Sequence, residues 1–216
     1  MDPEEAAKQK LMGAIDQARA LNFRYLWVDN CCIDKSHKTE LNESLSSMGD
    51  WYQNSQVCLV YLDDFEGTTV PPSPYPSQRP RWSTRGWTLQ EIVMSPRAVF
   101  YNKHWKYIIL RLQILEDLAY LCNVRSSSLI CCGKRPEVAA SFLLQIASDR
   151  ETSRTEDRAY SLMGLLGVRM TTNYGEGRKM AISRLLESII RTTGDVSIFN
   201  WNGIQNGAIG PGSSMF

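Results

Sequence analysis

The sequence predicts an α/β fold, a partial parallel sheet with flanking helices, followed by a helical C-terminal region. Three observations predict it. Twice, a helical stripe of apolar residues leads into a short aromatic and β-branched run that stops at polar residues: Phe23 to Val28 before Asp29-Asn30, and Val57 to Leu62 before Asp63-Asp64. Such alternation favours parallel strands, since each parallel neighbour needs a crossover and helices supply it. From about Pro136 onward, by contrast, apolar residues recur only at helical spacing.

The elements follow in order. Ala7, Leu11, Ala14, Ile15, Ala18 and Leu21 mark a first amphipathic helix, with Asp2 as its N-cap and Pro3 at its first position. Phe23 to Val28 then reads as a buried strand. A second helix, about 39 to 54, puts Leu41, Leu45, Met48 and Tyr52 on one stripe and leads into the strand at 57 to 62. Five of the nine prolines fall between Pro71 and Pro80, which excludes helix or central strand there and predicts an exposed loop. Trp82 to Met94 reads as helical and Arg97 to Tyr101 as a short strand, while Trp105 to Cys122 fits either state. The second half carries three helical stripes: Val138, Phe142, Leu143 and Ile146; Arg158 to Leu166; and Ile182, Leu185, Leu186, Ile189 and Ile190. The last stretch, 202 to 216, is rich in Gly, Ser and Asn without periodicity and is expected to be a flexible tail.

With 216 residues, 43% hydrophobic and 22% charged, the chain is long enough for one well-cored unit and too hydrophobic for a disordered one. Its net charge of +1 and lack of any basic block argue against a nucleic-acid binder that works by neutralising phosphates. No stretch offers the roughly 20 apolar residues of a membrane span. The acidic start, Met1-Asp2-Pro3-Glu4-Glu5, lacks a secretory signal, so a cytoplasmic location is expected and the six cysteines are expected to be reduced. Those cysteines show no C-x-x-C spacing and the two histidines lie apart, so no metal site is expected.

Four segments in this order carry a resemblance: Tyr25-Leu26-Trp27-Val28-Asp29-Asn30-Cys31-Cys32-Ile33-Asp34; Met48-Gly49-Asp50-Trp51-Tyr52-Gln53-Asn54-Ser55; Arg81 to Glu91; and Glu156 to Gly164 with Tyr174-Gly175-Glu176-Gly177. Together they resemble a fungal heterokaryon-incompatibility (HET) domain and the helical segment that often accompanies it. The resemblance implies a HET core over residues 1–101, a connecting segment 102–135, a helical companion region 136–201 and the tail 202–216. HET domains usually open with a strand upstream of the first helix, and that strand is expected to be missing here. The resemblance implies a role in non-self recognition and programmed cell death. It further implies other HET or sensor proteins as partners, possible self-assembly, and no nucleic acid. HET domains have also been proposed to be distantly similar to TIR domains, which are flavodoxin-like folds, and several of those cleave NAD.

TIR domains with that activity carry a Trp and, four residues on, a catalytic Glu, and Trp87 and Glu91 have this spacing. On a helix the two share a face, so an indole could wall the carboxylate. A carboxylate near a ribose can stabilise the oxocarbenium character that develops as a glycosidic bond breaks. Glu91 is therefore the candidate for catalysis, and Asp29, Asp34, Trp82, Arg85 and Trp87 are the candidates for binding NAD. Each has a purely structural alternative. Glu91 could cap or form an ion pair, the two Trp could fill the core, and Asp29 and Asp34 could form turns. Arg85 could grip a phosphate, or could pair with Asp29 or Asp34, and the pairing is the favoured reading. Glu156-Asp157-Arg158 reads as an acidic helix start.

Overall fold

The computed structural model describes residues 2–70, 79–109, 121–122 and 139–199. The Pro-rich segment, most of the connecting segment and the C-terminal tail named above lie outside these residues. Helix α1 spans Pro3–Ala20, with the Asp2 carboxylate accepting the Glu4 amide at 3.3 Å and two glutamates in the first turn, where the helix dipole favours them. The segment that follows departs from expectation. Residues 23 to 28 are extended in part but pair with no strand, and Tyr25 is 87% exposed. Strand-forming residues report a fit to a half-buried pleated surface, not the presence of a neighbour to pair with. Here Trp27 instead packs edge-on against Trp51 and Tyr52, with ring centroids 5.1 and 5.8 Å apart.

A single turn, α2 (Asp29–Cys32), precedes α3 (Lys38–Asn54), whose Leu45 and Met48 are buried. Strand β1 (Cys58–Tyr61) pairs in parallel with β2 (Ala98–Tyr101), in the register Cys58 to Ala98 through Tyr61 to Tyr101. Among the described residues the sheet has these two strands alone. The crossover between them contains a 3₁₀ turn (Arg81–Thr84) and α4 (Thr88–Met94). Helix α4 is buried nearly all round: six of its seven residues are buried, and Glu91 is the exception.

The second half is helical: α5 (Ala140–Ala147), α6 (Asp157–Tyr160), α7 (Met163–Leu166) and α8 (Gly177–Thr193), then a 3₁₀ turn (Val196–Phe199). The stripe from Arg158 to Leu166 is thus two one-turn helices in place of one, and Gly167, at φ 70°, ends the second. Val138 lies outside the described residues. One core joins both halves, running from Val60, Leu62 and Phe100 through α4 to Met163, Leu165 and Leu185. Its tightest crossing is α3 against α7, where a Cβ on Gly164 would lie 2.8 Å from the Cα of Gly49. Only glycine admits that approach.

Candidate functional site

Because the rest of α4 is committed to the core, its one open position is conspicuous. Glu91 is half-buried and faces a cleft of about 1790 Å³ between α1, the 23–31 segment, the Arg85 loop and the start of α6. Its Oε2 accepts the indole N–H of Trp82 at 3.0 Å. Among the described residues no ion pair engages it. Withdrawal from water raises its pKa above the ordinary carboxylate range, against the lowering effect of the Trp82 hydrogen bond, and Asp29 across the cleft raises it further. Arg85 and Lys10 pull the other way. A carboxylate fixed by a neutral donor keeps more basicity than one quenched by an arginine.

The other candidates divide. Asp29, Trp82, Arg85 and Trp87 line the same cleft. Asp34 does not: its carboxylate accepts the Ser36 amide at 2.8 Å and the Ser36 hydroxyl at 2.6 Å, and pairs with His37 Nδ1 at 2.8 Å. These bonds hold its pKa below the ordinary value and serve the turn into α3. The indole beside Glu91 belongs to Trp82; that of Trp87 reaches Asp157. Arg85 is exposed and its side chain joins neither Asp29 nor Asp34 in an ion pair. Its backbone is what the fold holds, since Thr88 Oγ1 and Arg150 both donate to its carbonyl, at 2.8 and 2.9 Å.

The model of the family "Heterokaryon incompatibility protein (HET)" matches residues 2–73. The "Vegetative incompatibility protein HET-E-1" of Podospora anserina is 36% identical over 192 residues, which is 86% of this chain and 14% of that protein. The chain is a HET-domain protein. It spans about a seventh of the length of that relative. No solved structure matches it.

Within this HET protein the 2–73 match includes Asp29 and Trp27, and Trp82, Trp87 and Glu91 lie beyond it. Two features of the site were not singled out from the sequence. Arg150 is 1% exposed; it donates to the carbonyls of Arg85 and Cys122 and to Thr88 Oγ1, so it fixes the turn that launches α4. Burial pushes its pKa down to about 10. Nothing around Arg150 in the sequence marks it, because its acceptors are mainly backbone carbonyls. Asp157, with Tyr174, stands in the cleft wall inside the fourth resemblance segment, where helix-start chemistry masked it. A strap of two backbone bonds, Gly86 to Glu151 at 2.7 Å and Glu151 to Thr84 at 2.6 Å, fastens the Arg85 loop to the second half. Among the described residues no group of three His, Cys, Asp or Glu could hold a metal, and no helix is long and apolar enough to cross a membrane.

Proposed function

We propose that this HET domain is the output module of a fungal non-self recognition system, triggering cell death in the cytoplasm by hydrolysing the bond between ribose and nicotinamide in NAD. The similarity to a vegetative incompatibility protein supports the recognition role. The observation that carries the chemistry is Glu91: the one residue of a buried helix left facing a large cleft, held by an indole and, among the described residues, without an ion-pair partner. The cleft exceeds the roughly 300–1,000 Å³ of ordinary small-ligand sites, so its volume has room for a dinucleotide. In this reading the Glu91 carboxylate stabilises the developing ribosyl cation, Trp82 holds it in place, Trp27 and Trp87 offer ring faces, and exposed Arg85 meets a phosphate. Nicotinamide is already a cationic leaving group and departs without a general acid.

The test is Glu91→Gln, which keeps shape and removes charge. Nicotinamide release from NAD by the purified chain should fall at least ~10²-fold. Release that is absent in the wild type, or unchanged by the substitution, rejects the enzyme. A second reading, homotypic assembly or partner binding without catalysis, draws support from the apolar surface at Met180, Val196 and Phe199, which are 55%, 69% and 63% exposed. Sedimentation of the wild type with and without a Phe199→Asp substitution separates it from the first.

A further inference from the structure

The NAD-hydrolysing reading leaves one step unassigned, the capture of the ribosyl cation by water. We propose that Asp157 is the general base for that step and that the helical companion region thereby contributes half of the active site. This inference rests on the reading above.

Four observations support it. Asp157 is 8% exposed, yet lines the same cleft as Glu91. It is oriented by neutral donors: the Tyr174 hydroxyl donates to its Oδ1 at 2.9 Å, and the Trp87 indole reaches it as well. Among the described residues it forms no ion pair, although Arg154 lies close, with its guanidinium 4.1 Å over the Tyr174 ring instead. Lastly, burial raises its pKa despite those donors, and a more basic carboxylate is the better proton acceptor. Two carboxylates, each steered by a tryptophan from one short loop, thus face one cleft from the two halves of the chain. A carboxylate present only to bind the halves together would be better served by an arginine partner.

The step balances. The C1′–N bond breaks with its electron pair passing to nicotinamide, which leaves neutral. A water oxygen bonds to C1′, its proton passes to the Asp157 carboxylate and then to solvent, and the second product is ADP-ribose.

The experiment measures two rates on the full chain with NAD: hydrolysis, and exchange of labelled nicotinamide into NAD, which needs the cation but no water. Asp157→Asn retains an acceptor for Tyr174 and Trp87. Hydrolysis should fall by ~10²-fold, while the ratio of exchange to hydrolysis rises at least ~10-fold. Equal losses in both rates, or none, overturn the assignment. Should that variant fail to fold, Tyr174→Phe decides. Removing the hydroxyl donor leaves Asp157 more basic, so the acid limb of hydrolysis moves to higher pH while that of exchange stays. The other charged groups facing Asp157, Arg154 and Glu156, are unaltered. An unmoved limb overturns the proposal. Activity that needs Glu91 but ignores Asp157 defeats this inference alone, and a wild type that releases no nicotinamide defeats both.

Discussion

The cleft and the clasp that Glu156 forms in the helical second half use the same residue types to opposite ends. In the clasp, Glu156 is 8% exposed and its Oε1 accepts the amides of Gly175 and Gly177, at 2.9 and 3.1 Å. Those glycines sit at φ 104° and 78°, conformations that let two nearby N–H groups converge on one oxygen. Glu156 is accordingly held below the ordinary carboxylate pKa, first through Gly175. Glu91 has one indole donor and is pushed up. The arginines repeat the contrast: Arg150 is buried among three oxygen acceptors, whereas Arg85 lines the cleft and its guanidinium has no hydrogen-bond or ion-pair partner among the described residues. Burial alone therefore does not distinguish a structural group from a functional one. What distinguishes them is how many of a group's bonds the fold itself supplies.

Several substitutions sharpen or break that contrast. The largest effect is expected at Arg150. Arg150→Met removes three buried hydrogen bonds, those to the Arg85 and Cys122 carbonyls and to Thr88 Oγ1, and should cost about 3 kcal/mol in chemical denaturation, with the α4 turn loosened. A loss under about 1 kcal/mol would show that its bonds are not what sets the turn. Next is Gly164→Ala. Its methyl would lie 2.2 Å from Gln90 Oε1 and 2.8 Å from the Gly49 backbone, so α3 and α7 must separate at a cost of about 2 kcal/mol. Glu156→Gln weakens two charge-assisted bonds and should cost about 1–2 kcal/mol at neutral pH.

The two glutamates also predict opposite pH slopes. The lowered pKa of Glu156 means its contribution is full above the unfolded carboxylate pKa and is lost as pH falls through the folded value. The stability advantage of the wild type over Glu156→Gln should therefore shrink on acidification. The raised pKa of Glu91 means the folded state binds the proton more tightly, so stability falls as pH rises from the ordinary carboxylate range through the folded value. Glu91→Gln should match the wild type in acid and melt slightly higher at neutral pH. This is the smallest of the four effects, and a Glu91→Gln protein less stable than the wild type at neutral pH would place Glu91 among the structural groups.

Much of this was legible in the residues. The helices at α1, α3, α5 and α8 follow from apolar spacing and, for α1, from the Asp2 cap, and the strands β1 and β2 follow from short apolar runs bounded by polar residues. Periodicity is a local property and survives folding. The strand expected at 23–28 failed for the complementary reason: its composition suits a sheet, but pairing depends on what lies beside it. At the site, the four-residue spacing of Trp87 and Glu91 suggested an indole beside the carboxylate, and the indole that donates to Glu91 is that of Trp82. Helical spacing placed both on one face, but Trp82, nine residues before Glu91, reaches it across the bend of the Arg85 loop.

By itself, then, the sequence determined the longer helices, the two paired strands and the family, because each is written in residues close together along the chain. Tertiary structure alone decided that Trp87 answers Asp157 from the other half, and that a buried Arg150 fixes the loop beneath the cleft. Those relations join residues many tens of positions apart, and no local pattern of size, charge or spacing records which distant oxygen a donor will find.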